Sequence, residues 1–132
     1  MIDVIFADHQ EPFHFGVAEI MVGAGDICLM AQPRSAEQLL SILETLVPHV
    51  LLLSTNFIPA FSKIEPVLQR GRTALLLLAD EEDHVSDVGC LRAQGVVYRS
   101  TDGPGLVDAL RRVARGEIFV QGRSSDAAEK RT

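Results

Sequence analysis

Two uninterrupted apolar runs dominate the pattern of hydrophobic and polar positions along the chain. The first covers residues 50–53 and ends at Ser54, and the second covers residues 74–79. Runs of this length without alternating polar residues are typical of strands that helices cover on both faces, as in a parallel sheet. We therefore predict two central strands, over residues 48–53 and 73–79.

Shorter β-rich runs and helical periodicities alternate along the rest of the chain. Strands are predicted over residues 2–7, 26–30 and 95–98, and helices over residues 12–22, 35–47, 58–69 and 102–115. Pro59 and Pro66 limit where the third of these helices can be regular, and a further helix is predicted to start at the acidic residues 80–83. Five strands alternating with five helices predict an α/β fold, with a five-stranded parallel sheet, right-handed crossovers and helices on both faces.

The composition fits one folded domain followed by a tail. The chain has 132 residues, of which 47% are apolar and 23% are charged, and these are ordinary values for globular proteins. Residues 1–121 carry the predicted elements, whereas residues 122–132 are small, polar and charged without periodicity, which predicts a linker or tail. No apolar stretch is long enough to cross a bilayer, and no signal peptide is recognisable, so we expect a cytoplasmic protein without membrane contact. The net charge of −6 gives no overall attraction to nucleic acid, so DNA binding would require another domain.

Several chemistry-bearing residues lie where predicted strands end. In open parallel sheets, ligands bind at the carboxyl ends of the strands, and Asp8, His9 and Ser54 occupy such positions. A serine there can belong to a hydrolase, but the turn around Ser54 lacks the G-x-S-x-G pattern of that class. A metal site could be drawn from Asp8, His9, Glu11 and His14, although these residues lie in one short segment and zinc sites need three or four convergent ligands.

Three stretches of the sequence together indicate a family. They are residues 4–9 (Val-Ile-Phe-Ala-Asp-His), residues 48–54, and residues 110–117 (Leu-Arg-Arg-Val-Ala-Arg-Gly-Glu), which a short apolar run at 118–120 follows. Over residues 2–122 the chain resembles the receiver domain of bacterial two-component response regulators, in particular the class in which the receiver precedes a LuxR/NarL-type helix-turn-helix. The resemblance implies a CheY-like, flavodoxin-like fold and a regulatory domain that is not an enzyme.

The resemblance also implies a phosphorylation pocket, most of whose positions are changed in this chain. In active receivers, two acidic residues after the first strand and an aspartate after the third hold Mg²⁺, and that aspartate accepts the phosphoryl group. A Thr or Ser after the fourth strand and a Lys after the fifth bind the phosphoryl oxygens. The corresponding positions here are Asp8, His9, Ser54, Ala79 and Arg99. Because a serine hydroxyl is not an ionised nucleophile and one carboxylate is a poor Mg²⁺ site, we expect a pseudo-receiver with no metal and no cofactor.

Arg99 leaves two alternatives open. If the family geometry holds, its guanidinium reaches Asp8, and the ion pair fixes the pocket in one state without phosphate. Alternatively, Arg99 is a solvated side chain at a strand end, where an exposed ion pair contributes only about 0 to 1 kcal/mol.

We therefore expect the regulatory domain of a LuxR/NarL-like transcription factor that is independent of phosphorylation. A stand-alone protein-interaction adaptor without DNA binding is the alternative, and a regulator phosphorylated at another residue is a third. Expected partners are a second copy of the chain, and a protein partner or small ligand; DNA would be bound only through a C-terminal domain beyond residue 132. The acids at 80–83 and the arginines Arg111, Arg112 and Arg115 could form a charge-complementary dimer surface, although the helix dipole favours the same charges at these helix ends.

Overall fold

The sheet and its helices follow one another along the chain. The computed structural model describes residues 1–8, 11–79, 93–99 and 101–120, and of residues 11–15 and 119–120 it describes the backbone alone. The strands are β1 (Ile2–Ala7), β2 (Ile27–Ala31), β3 (Val50–Ser54), β4 (Ala74–Ala79), β5 (Gly95–Tyr98) and β6 (Phe119–Val120), and the helices are α1 (Glu11–Gly23), α2 (Ala36–Leu43), α3 (Phe61–Gly71) and α4 (Gly103–Ala114). The strands pair in the order β2-β1-β3-β4-β5-β6, and these pairings are parallel.

The predicted parallel sheet with helices on both faces is confirmed, with two corrections. β1 to β5 lie at the five predicted strands, and the sheet has in addition the two-residue strand β6. The helix predicted over residues 58–69 is wrong at its start, because residues 55–60 form a 3-10 helix and α3 begins only at Phe61. The Ser54 side chain caps that 3-10 turn, and Pro66 lies inside α3 without ending it. The helix predicted to start at residues 80–83 lies outside the described residues.

Each central strand contributes to two separate cores, because successive side chains of a strand point to opposite faces of the sheet. One core packs alternate residues of β1, β3, β4 and β5 against α2, the 3-10 helix and α3; it includes Ile5, Leu51, Leu53, Leu77, Leu39, Phe57, Ile64 and Leu68. The other packs the remaining residues against α1 and α4; it includes Val4, Phe6, Leu52, Leu76, Val17, Met21, Leu106 and Leu110. Every residue of β3 is buried, which explains why residues 50–53 form an unbroken apolar run.

The topology brings the carboxyl ends of neighbouring parallel strands to one edge of the sheet. β1, β3, β4 and β5 are consecutive neighbours in the strand order, so the residues that end or follow them lie side by side. Within the described ranges, no helix is both long enough and apolar enough to cross a membrane.

Candidate functional site

Four of the five predicted pocket residues lie together at the carboxyl edge of the sheet. Asp8 directly follows β1, Ser54 is the last residue of β3, Ala79 is the last residue of β4, and Arg99 directly follows β5. Asp8, Ser54 and Ala79 are buried. The fifth position, His9, lies outside the described residues.

Arg99 and Asp8 form a bidentate ion pair. Arg99 Nη1 donates to Asp8 Oδ2 at 2.8 Å, and Arg99 Nη2 donates to Asp8 Oδ1 at 2.8 Å. The Asp8 side chain is 0% exposed and that of Arg99 is 13% exposed. Two parallel charge-assisted hydrogen bonds of this length are among the strong ones in proteins. Of the two alternatives for Arg99, the structure therefore has the ion pair and not the solvated side chain.

Ser54 joins the same cluster through its hydroxyl. Arg99 Nη2 donates to Ser54 Oγ at 2.8 Å, and the backbone N–H of Asn56 donates to the same oxygen at 3.2 Å. A nucleophilic serine needs a base that takes its proton, whereas both of these contacts are donors to the oxygen. The arrangement gives Ser54 a structural contact with Arg99 and a capping role, and it does not support the hydrolase interpretation.

Backbone hydrogen bonds hold the cluster in position. The Asp8 N–H donates to the carbonyl of Pro33 at 3.2 Å, and the Arg99 N–H donates to the carbonyl of Ala79 at 3.0 Å. Arg99 is thus fixed through its main chain to β4 and through its side chain to Asp8. Ala79 supplies this carbonyl but has no hydroxyl to offer a phosphoryl oxygen. Carbonyl contacts of this kind leave no signal in a sequence, so the role of Pro33 was missed.

The residues of the pocket do not fit the Mg²⁺ ion that the fold family implies. Mg²⁺ requires several hard oxygen ligands in near-octahedral geometry. Here both carboxylate oxygens of Asp8 accept hydrogen bonds from Arg99, and Ser54 contributes a neutral hydroxyl that Arg99 also contacts. A divalent cation would have to displace a guanidinium of like charge. Among the described residues, no group of three or more His, Cys, Asp or Glu is placed to hold a metal, and the side chains of His9, Glu11 and His14 lie outside that set.

The arginines of α4 have acidic partners within their own chain. The ion pairs are Arg111 with Asp26, Arg112 with Asp108, and Arg115 with Glu117. The hydrogen bonds between Arg111 and Asp26 lower the pKa of the Asp26 carboxyl and raise the pKa of the Arg111 guanidinium. These pairs leave little unbalanced positive charge on this helix, so they do not favour a dimer surface in which the arginines meet the acids at 80–83, which lie outside the described residues.

The chain has relatives among the response regulators. It is 24% identical to the transcriptional regulatory protein DegU of Brevibacillus brevis over 125 residues, which cover 90% of this chain and 52% of that protein. It is 22% identical to the nitrate/nitrite response regulator protein NarL of Escherichia coli over 122 residues, 89% of this chain and 56% of that protein. The chain thus spans about half the length of the curated relatives it matches. No family model matches it.

Solved receiver domains share the fold. The isolated receiver domain of RcsB from Salmonella enterica serovar Typhimurium in the apo form superposes with a TM-score of 0.82 at 20% identity, covering 98% of this chain and 99% of that one. The signal receiver domain of NarL from Mycobacterium tuberculosis superposes with a TM-score of 0.75 at 18% identity, covering 88% and 98%. At these identities the solved structures show similarity of fold alone, and the curated relatives add similarity of sequence. In sequence and in fold, the chain is therefore similar to the receiver domains of response regulators of the NarL, DegU and RcsB type.

Proposed function

We propose that this receiver is the regulatory domain of a LuxR/NarL-like transcriptional regulator and that its conformation does not depend on aspartyl phosphorylation. The observation that carries the proposal is the buried contact of Arg99 with both Asp8 and Ser54. The guanidinium is charged at every physiological pH. It therefore places a permanent cation beside Asp8, where the family uses a metal ion and a transient phosphoryl group.

The energetics of burial support a fixed pocket. An ionised carboxylate that loses its partner in a buried site costs several kcal/mol, and Asp8 is fully buried. An incoming phosphoryl group would compete with Asp8 for Arg99, would find Ser54 in place of an acceptor carboxylate, and would find the methyl group of Ala79 in place of a hydroxyl. Each of these features opposes phosphorylation and favours the intact Arg99–Asp8 ion pair.

Phosphoryl transfer to the chain can be tested directly. The chain is incubated with acetyl phosphate and Mg²⁺ and its intact mass is measured; we expect the unmodified mass. A conventional receiver with all five family residues, treated in parallel, checks that the donor is active. A stable added phosphoryl group on this chain would contradict the proposal and would support a regulator that is phosphorylated at another residue.

The partners of the full protein form a second part of the proposal. One structural neighbour is described as two RcsB dimers bound to two parallel DNAs, and the chain matches only 52% and 56% of the length of its curated relatives. We infer a cytoplasmic homodimer that binds DNA through a C-terminal helix-turn-helix domain. Light scattering on this chain tests the dimer, and a DNA mobility-shift assay on the full gene product tests DNA binding. A full product without affinity for DNA would favour the stand-alone adaptor.

A further inference from the structure

Arg72, which directly follows α3, has an unusual backbone conformation. Its φ is 56°, and within the described part of the chain it is the one residue other than glycine with a positive φ. The turn requires this conformation, because the N–H of Thr73 donates to the carbonyl of Leu68 at 3.0 Å in the manner of a Schellman motif. Glycine adopts the left-handed region without a steric penalty, whereas a residue with a Cβ is strained there.

The glycine of this turn lies one position earlier, at Gly71, where packing requires it. A Cβ at Gly71 would lie 3.1 Å from Cγ1 of Val47, which is closer than the roughly 3.5–4.0 Å at which carbon atoms pack. The strain of the left-handed position therefore falls on an arginine. Strained backbone of this kind is concentrated at functional sites, so the surroundings of Arg72 are of interest.

Arg72 lines an open cavity of about 440 Å³ at the edge of the sheet where the strands begin. The cavity lies between the segments that lead into β3, β4 and β5 and the carboxyl end of α4. Its volume is within the range of roughly 300–1,000 Å³ that is usual for small-molecule sites. About half of its lining is apolar and comes from Val47, Pro48, Ala74, Val113 and Ala114.

Three polar side chains line the same cavity, and each offers a hydrogen-bond donor. The Arg72 guanidinium is exposed and forms no ion pair with the described residues. His49 Nδ1 accepts the N–H of Asp3 at 2.9 Å, so the neutral ring carries its proton on Nε2, which can donate. Gln94 Oε1 accepts the N–H of Leu75 at 2.8 Å, which leaves the amide nitrogen of Gln94 as the donor.

The charge around this cavity is opposite in sign to that of the whole chain. The chain has a net charge of −6, whereas the ionisable residues among the described lining are Arg72 and His49. The carboxylate of Asp3 lies 3.8 Å from His49 Nδ1 and is not part of that lining. A guanidinium binds a carboxylate through two parallel hydrogen bonds, and an apolar lining favours a ligand with an apolar body.

We propose that this cavity binds a small organic carboxylate with a compact apolar body. The carboxylate accepts hydrogen bonds from the Arg72 guanidinium, and His49 Nε2–H and the Gln94 amide are the additional donors. The strained backbone of Arg72 is retained because it holds the guanidinium at the cavity. The site lies at the opposite edge of the sheet from the phosphorylation pocket, and the inference does not rest on the proposed function.

Titration of the ¹⁵N-labelled chain with benzoate, followed in ¹H–¹⁵N correlation spectra, tests the proposal. We expect saturable shifts at the amides of residues 47–49, 71–74, 94 and 113–116. Benzamide has the same shape without the charge, and acetate has the charge without the body, so each should bind about tenfold more weakly. Equal affinity for benzamide would overturn the proposal, as would equal affinity for inorganic phosphate or the absence of saturable shifts.

Two variants separate ligand binding from a structural role of the lining. Arg72→Gly relieves the strain and removes the guanidinium, so we expect the Tm to rise by about 3 °C and benzoate to bind about tenfold more weakly. Arg70→Gln changes an exposed arginine of α3 outside this cavity and should bind benzoate like the unmodified chain. His49→Asn keeps an acceptor near the position of Nδ1 but lacks the Nε2 donor, and should also bind more weakly.

The variants can also contradict the proposal. Unchanged benzoate affinity in Arg72→Gly would overturn it, and so would an equal loss of affinity in Arg70→Gln, which would show only a general effect of charge. A lower Tm for Arg72→Gly would show that the arginine stabilises the turn and would remove the argument from strain. Failure of the proposed function would appear separately, as phosphoryl uptake by the unmodified chain.

Discussion

Replacing Arg99 with methionine removes the guanidinium from the pocket while keeping a side chain of similar length. Asp8 is then left fully buried without its two charge-assisted hydrogen bonds at 2.8 Å, and Ser54 loses its contact with Nη2. Breaking a buried ion pair by removing one partner costs about 3–5 kcal/mol. That is a large share of the roughly 5–15 kcal/mol by which a domain is stable, so we expect a much lower urea midpoint for Arg99→Met at neutral pH.

A double-mutant cycle assigns this loss to the ion pair. The free energy of unfolding is measured by urea titration for Arg99→Met, for Asp8→Asn and for the variant with both changes. Because the Asp8 change removes the carboxylate charge that has lost its Arg99 partner, the double variant should be more stable than the sum of the single losses predicts. We expect a coupling energy of about 2–3 kcal/mol, near the upper end for contacting residues.

The chain offers a matched control for this cycle. Arg111 and Asp26 also form a bidentate pair, through Nε and Nη2 of the arginine at 2.8 and 2.9 Å, but their side chains are 42% and 48% exposed. Solvent screens such a pair, so the cycle of Arg111→Met and Asp26→Asn should give a clearly smaller coupling that added salt reduces further. A coupling between Arg99 and Asp8 that is no larger than this would show that the buried pair does not hold the pocket together.

Three further predictions concern single residues. The hydrogen bond from Arg111 lowers the pKa of Asp26 below its ordinary value of 3.8, so the stabilisation from this pair is present above that pH and is lost as the pH falls through the folded-state pKa. Arg111→Gln should therefore flatten the decline in unfolding free energy between about pH 5 and 2. An unchanged slope would argue against a stabilising role for the Arg111–Asp26 pair. Ser54→Ala removes the cap of the 3-10 helix and the contact with Arg99, so thermal unfolding should show a loss of about 1–2 kcal/mol in stability. Ser35→Ala removes only the exposed cap of α2 and should cost less. The reverse order would contradict a stabilising contact between Ser54 and Arg99. Arg99→Lys keeps the charge but not the planar fork that reaches Asp8 and Ser54 together, so its Tm should fall between those of the unmodified chain and Arg99→Met; a Tm equal to that of the unmodified chain would show that charge alone suffices.

The sequence predicted the central sheet well because burial on both faces leaves a clear pattern. Residues 50–53 of β3 and 74–79 of β4 contain no polar position, and the parallel pairing of these strands follows from the alternation with helices. The sequence predicted the ends of the helices and strands less well. The 3-10 helix after Ser54 depends on a side-chain cap and on Pro59, and β6 has only two residues, which is too short for any periodicity to indicate.

The candidate site could be named from the sequence but not assembled from it. Asp8 and Arg99 are 91 positions apart, and whether their charges meet depends on the pairing of strands that no local pattern specifies. Their exposure decides between a weak and a strong ion pair, and exposure is a property of the whole fold. The sequence also could not predict the hydrogen bond from the Asp8 N–H to the Pro33 carbonyl, because any residue could supply a backbone carbonyl.

We have proposed that the Arg99–Asp8 pair and Ser54 take the place of phosphoryl and metal binding in this chain. A thermal-shift titration with Mg²⁺ and beryllofluoride, a mimic of the aspartyl phosphate, is the decisive measurement, because a ligand that binds only the folded state must raise its Tm. We predict no change in the Tm of the unmodified chain at any concentration at which a conventional receiver responds. A concentration-dependent rise would contradict the claim and would mean that a carboxylate elsewhere in the chain accepts the phosphoryl group.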